Sequence, residues 1–212
     1  MPALLEDRMS EFDEKAKDWD SDPQKVDRAR RVVEAILGQV CATGRMHVFE
    51  YGCGTGLLGF ALKPHVAHVT LADSSQAMLA VLRQKIEASG VRSMTPVRLD
   101  LSSDPLPESR YDLVCTLMTL HHIPDTDGIL RDLSALLRPT GSLCISDLDA
   151  EDGSFHGGRS DVHKGFDRAD LAASMERAGL RNVRFSTVCE IAKPAGAGTR
   201  SFPVFLAVGE KG

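Results

Sequence analysis

The chain has 212 residues, 42% of them hydrophobic and 26% charged, with a net charge of −5. That suits one globular domain over residues 1–212 and is too short for a dinucleotide domain plus a separate substrate domain. The acidic balance argues against a phosphate-backbone footprint and hence a nucleic-acid partner, and no apolar run approaches the roughly 18 residues of a membrane span.

In chain order, Asp22-Pro23 reads as a helix cap with proline at the first helical position, and Val26, Val33, Ile36 and Leu37 fall near one stripe until Gly38. Residues 47–51 form a short buried strand, and residues 55–62 a helix that stops before Pro64. A strand at 66–72 leads to Asp73-Ser74-Ser75, which caps a helix with Met78, Leu79, Leu82 and Ile86 on one side and Gly90 at its end. Strands near 95–99 and 111–118, a helix over about 125–137, a turn at 138–141 and a fifth strand at 142–148 follow. After a polar segment and a helix near 168–178, the runs 183–191 and 202–208 leave no room for a helix between them. They predict an antiparallel hairpin at the sheet edge, with residues 195–198 as its loop. The alternation of strand and helix predicts a mainly parallel sheet covered on both faces.

The stretch FEYGCGTGLLG crowds glycines behind a strand. It lacks the Lys and Ser/Thr of a phosphate-cradling loop, and Leu57 stands where a dinucleotide fingerprint needs its third glycine. What remains is E-x-G-x-G-x-G, in which Glu50 suits a ligand carrying an ammonium group better than a pyrophosphate. Asp73 ends the next strand at the spacing of a ribose-binding carboxylate. Asp100 ends the third, where it would accept from an adenine amine while the Leu101 amide donates to a ring nitrogen. Any one of these acids alone reads as a cap, but three at successive strand ends point to a ligand.

The motifs FEYGCGTG, LADSSQAML, RLDL, YDLVCTLMTLHHIPD and LLRPTGSLCISD, with the terminal hairpin, resemble the class I S-adenosylmethionine-dependent methyltransferases over most of the chain. The likeness is to the small-molecule type found in ubiquinone and menaquinone biosynthesis. It implies an α/β, three-layer Rossmann-like sandwich with a seven-stranded, mainly parallel sheet of order 3-2-1-4-5-7-6, strand 7 antiparallel. It also implies S-adenosyl-L-methionine as cofactor and S-adenosyl-L-homocysteine as product. By position, cofactor contacts fall on Glu50, Gly52, Cys53, Gly54, Thr55 and Gly56, then on Asp73, Ser74 and Met78, on Asp100 and Leu101, and on Met118 and Thr119. Tyr51 replaces the small or aliphatic residue of many relatives and is expected to point away from the turn. Residues 1–40 read as a helical lid segment. Phe12, Trp19 and Asp20 resemble the part that closes over the cofactor, and Trp19 is divided between that role and ordinary helix packing.

The resemblance implies in-line transfer to a small organic acceptor, for which a base is needed only if the acceptor loses a proton. His121 and His122 follow the fourth strand. Asp149, Asp152, His156 and His163 lie in residues 149–166, read as an acceptor-side insertion because Phe155 and Phe166 stud a polar run. A plain surface loop is the alternative. His121, His156 and His163 are the candidates for catalysis. Four histidines and nearby acids could in principle converge on an ion, but no compact ligand motif supports it and no metal is assigned. An NAD-dependent oxidoreductase is disfavoured by Leu57 and by the absence of Tyr-x-x-x-Lys. A non-catalytic S-adenosylmethionine-binding protein stays open, as do the methylated atom and the choice between monomer and homodimer. Five scattered cysteines suggest reduced thiols, and an N-terminus that turns acidic at once, without a secretory signal, suggests the cytoplasm.

Overall fold

The computed structural model describes residues 12–195 and 198–212. Helix α1 (Pro23–Gln39) begins where the Asp22 carboxylate accepts the Gln24 amide, with Pro23 in the first turn, and it buries Ala29, Val32, Val33 and Ile36. After strand β1 (His47–Tyr51), Gly56 at φ +81° opens the short α2 (Leu57–Leu62). Strand β2 (His68–Asp73) feeds α3 (Gln76–Ser89), whose first turn is capped by the Ser75 hydroxyl and whose last is closed by left-handed Gly90. Strands β3 (Met94–Arg98) and β4 (Tyr111–Leu117) precede α4 (Thr126–Ala135), capped by Asp125. Strand β5 (Leu137–Leu148), α5 (Arg168–Arg177), capped by Asp167, and the hairpin β6 (Leu180–Ala195) and β7 (Gly198–Lys211) complete the chain.

The sheet order is β3-β2-β1-β4-β5-β7-β6, as expected. The first five strands are parallel, and β7 runs antiparallel to both β5 and β6. Residues such as Val48, Val69, Leu113, Leu143 and Ile145 are fully buried because both faces are covered. One face packs on α1, α2 and α3 through Val32, Leu58 and Leu79, the other on α4 and α5 through Leu130, Leu133, Leu171 and Met175. A third cluster of Leu148, Phe155, Ile191, Phe202 and Val204 lies under the 149–166 segment. With five strands parallel, their carboxyl ends gather on one edge, where a sheet of this kind binds its ligand.

The boundaries differ most from expectation at β5 and at the hairpin. Strand β5 starts at Leu137 and takes in the Arg138–Gly141 turn, with Thr140 at φ +65° and a register shift against Tyr111 and Leu113. The hairpin strands run past their apolar centres, because polar residues at an exposed edge continue the ladder. The 149–166 segment holds a 3-10 turn at Ser154–His156 and a single bridge between Asp149 and Phe166. Residues 1–11 of the expected lid and residues 196 and 197 of the hairpin loop lie outside the described residues.

Candidate active site

Gly52, Gly54 and Gly56 have φ of +67°, +52° and +81°, so the turn after β1 is left-handed at three alternate residues. A Cβ on Gly52 would fall 2.2 Å from Thr119 Cγ2, and the Thr119 hydroxyl donates to the Gly52 carbonyl at 3.3 Å. The loop after β4 is thereby pressed against the glycine turn. Asp73 shapes the same turn: its Oδ2 accepts the Gly54 amide at 2.7 Å and its Oδ1 the Ser75 amide at 2.8 Å. Burial raises its pKa. Met78 and Cys53 are buried beneath, and Ser74 is half-exposed at the rim.

Glu50 corrects an expectation. Its carboxyl does not face outward toward an ammonium group; it is 2% exposed and lies under α2, where Oε2 would sit 2.7 Å from a Cβ on Gly59. Oε2 has no hydrogen-bond partner among the described residues, and burial pushes the pKa up to about 8. Glu50 therefore stays protonated at neutral pH and supports the turn from below.

Tyr51 reaches the end of the third strand. Its hydroxyl accepts the Leu101 amide at 3.1 Å, so the donor expected to meet an adenine ring nitrogen is occupied by a side chain of β1. The Asp100 carboxylate accepts the Ser102 amide at 3.0 Å and the Ser102 hydroxyl at 2.6 Å, which makes it a turn cap here. Met118 is half-buried at φ +53°.

The segment before α1 covers the turn. The Trp19 indole nitrogen lies 3.9 Å from the Cβ position of Gly54, and Lys25 Nζ stands 3.8 Å over the indole ring. Asp20 binds the Thr55 hydroxyl and Lys85 Nζ, each at 2.5 Å, and Lys85 also donates to the Thr55 carbonyl at 2.8 Å. Asp13 accepts the Ser75 hydroxyl at 2.5 Å. Phe12 meets Trp19 at a centroid distance of 6.0 Å and His122 at 5.2 Å, joining the covered turn to the histidine cluster.

There, His121 Nδ1 lies 2.6 Å from Asp147 Oδ1, and both residues are buried. The carboxylate fixes the proton on Nδ1 and leaves Nε2 with its lone pair. The His121 ring packs against His122 at 4.1 Å and His156 at 5.0 Å between centroids. His156 Nε2 is buried without a partner among the described residues. Desolvation, with help from His121, Lys193 and Arg159, lowers its pKa to about 4. His163 is placed differently: its ring contacts the Ile123 carbonyl at 2.9 Å, and its amide donates to the His121 carbonyl at 2.8 Å. It holds the two loops together. Asp149 pairs with Arg168 at 2.7 Å and Asp152 with Arg200 at 2.5 Å, so both anchor the insertion to its surroundings.

Sequence reasoning missed Asp147, Lys85, Lys193 and Arg28. Asp147 lies on a strand and meets His121 only through the register of β4 and β5, and the others sit within regular elements with no motif around them.

The "Methyltransferase domain" family matches residues 48–141, the span from β1 to the turn within β5. Residues 48–141 thus form a methyltransferase domain. It is 26% identical over 209 residues to methyltransferase GfsG of Streptomyces halstedii, covering 90% of this chain and 75% of that one. To the ubiquinone biosynthesis O-methyltransferase of Coxiella burnetii it is 26% identical over 147 residues, covering 68% of this chain and 62% of that relative. The chain thus spans under two thirds of that relative's length. The fold agrees with the methyltransferase of Haloferax volcanii solved with the Trm112 activator, at a TM-score of 0.75 and 18% identity, covering 94% of this chain and 97% of that one.

S-adenosylmethionine is the cofactor of this methyltransferase, and the residues fit it. The left-handed turn would let backbone approach the ligand, Asp73 would offer its remaining lone pairs to ribose hydroxyls, and the Trp19 indole stands over Gly54 of the turn. Among the described residues no helix is long and apolar enough to cross a membrane.

Proposed function

We propose that this methyltransferase transfers a methyl group from S-adenosylmethionine to a small organic acceptor held against His121 and His156. The observation that carries the reading is one of adjacency. Thr119 buttresses Gly52 of the cofactor turn, and two residues on, His121 enters the Asp147-oriented histidine array. A methyl group presented at the end of β4 would then lie beside the histidine array, whose His156 Nε2 has no partner among the described residues.

When bound, the sulfonium cofactor supplies an electrophilic methyl group with a good leaving group. The chain's own work is to orient, to exclude water and to take a proton where the acceptor releases one. Asp147 holds His121 in one tautomer, and His156, neutral at pH 7, offers Nε2 as a proton acceptor. Trp19 and Phe12 close the side open to solvent. The insertion 149–166 forms the acceptor wall through Phe155 and His156, with His163 as a positioning residue.

A metal reading has one observation in its favour: ligand atoms of His121, His122 and His156 all lie within 4.8 Å of one another. Against it, His156 feels the cations Lys193 and Arg159, and Asp147 is already committed to His121. A divalent ion would add charge to a positive environment, so we read the array as proton-handling.

The test is parallel calorimetric titration with S-adenosylmethionine, S-adenosylhomocysteine and NAD, followed by an acceptor screen with wild type and His156→Ala. Binding of the two sulfur nucleosides without NAD, and turnover that falls in the variant at unchanged cofactor affinity, is the expected result. Binding of NAD alone would sink the reading.

A further inference from the structure

Helix α1 carries a guanidinium, that of Arg28, with which no carboxylate pairs among the described residues. Arg28 is half-buried, and its Nε is shut off from solvent without a hydrogen-bond partner among the described residues. Desolvation lowers its pKa, while Cys189, Asp22 and Asp147 act on it without ion-pair contact. Those acids are committed elsewhere: Asp22 caps α1 through the Gln24 amide, and Asp147 holds His121. Asp27, the preceding residue, is bound by Arg30 at 2.8 Å and Arg31 at 2.6 Å. A guanidinium partly withdrawn from water, with no partner among the described residues, is favoured by a group that supplies the counter-charge.

Arg28 lines a cavity of about 210 Å³ between α1 and β6, together with Gln24, Arg31 and Cys189. The acids on its rim are engaged, Asp27 as described and Glu190 by the Ser201 hydroxyl. That volume suits an acidic group or a small molecule carrying one. Positive charge continues from here toward the histidines. Arg28 helps depress the Lys193 ammonium, which stands 3.6 Å over the Phe155 ring and donates to the Phe155 carbonyl at 2.7 Å. Phe155 in turn packs on His156 at 4.9 Å between centroids.

We propose that the methyl acceptor is an organic anion whose carboxylate or phosphate-like group pairs with Arg28 while its nucleophilic atom faces His156. The inference rests on the methyltransferase reading above. A bound anion would also restore proton affinity to His156 by offsetting the cations around it, coupling acceptor binding to the capacity to take a proton.

The experiment titrates wild type, Arg28→Met and Arg28→Lys with sodium acetate and with inorganic phosphate, each with and without saturating S-adenosylhomocysteine, and follows heat and thermal midpoint. Circular dichroism of each variant checks that it folds. Wild type should bind one of the anions, identifying a carboxylate or a phosphate-like group. Affinity should fall roughly tenfold or more in Arg28→Met and recover in part in Arg28→Lys, with S-adenosylhomocysteine affinity unchanged in all three. Equal anion binding by wild type and Arg28→Met, or none by wild type, would overturn the site. Failure of wild type to bind S-adenosylhomocysteine would overturn the underlying reading instead, and the titrations without nucleoside would still decide the Arg28 site.

Discussion

Asp147 holds the Nδ1 of His121 at 2.6 Å, and neither side chain reaches solvent. The same carboxylate also accepts the His121 amide at 3.2 Å and the Leu148 amide at 2.7 Å, so it fixes both the ring and the backbone of the loop after β4. Asp147→Asn keeps the shape and weakens control of the tautomer. We expect kcat to drop roughly 100-fold with cofactor affinity intact. Rate constants and calorimetry on the same preparation would show it, and undiminished kcat would remove the dyad from the mechanism.

Asp73 makes two amide contacts in the turn and keeps capacity for ribose hydroxyls. Asp73→Ala should weaken S-adenosylhomocysteine binding by roughly 1–3 kcal/mol. Asp73→Asn should recover part of that. If both variants bind as wild type does, Asp73 serves the turn alone.

Glu50 sets a pH dependence of stability. Its folded pKa, raised by burial to about 8, exceeds the ordinary value of 4.5, so between those limits the folded state holds a proton that the unfolded state has released. Stability therefore declines as pH rises through that window, by at most about 1.4 kcal/mol per unit. Glu50→Gln should flatten the slope and be the more stable form at pH 8. Urea midpoints from pH 5 to 8 test this, and parallel slopes for the two proteins would refute it.

Asp20 fastens the segment before α1 to Thr55 and Lys85. Its pair with Lys85 is partly exposed, so Asp20→Ala should cost only roughly 1 kcal/mol of stability. Nucleoside exchange should be more sensitive. Stopped-flow release of S-adenosylhomocysteine is expected to quicken about fivefold, and to quicken in wild type with added salt. Identical release rates would make the segment a passive cover.

Local chemistry made much of this readable in advance. Asp22-Pro23, Ser75 and Gly90 mark helix ends through their own backbone preferences, and the strand-helix alternation fixes the sheet. Asp73 was legible because a strand end followed by a capped helix leaves its carboxylate at the turn. The misreadings share a different origin. Glu50 turning under α2, Tyr51 reaching Leu101 and Asp147 meeting His121 all depend on how separate strands register, which no local pattern encodes. His163 looked chemical because it is a histidine in a polar run, yet the Ile123 carbonyl claims its ring. Arg28 sits among other charges on its helix, and only the packing of β6 against α1 places it on a cavity.

The Asp20 clasp bears on how the protein keeps time. Asp20, with Asp13, secures the roof over the cradle, and on the function proposed above the loading of fresh nucleoside and the discharge of the spent one pass through the same latch. On that reading a cycle that must open the latch to exchange nucleoside is paced by traffic.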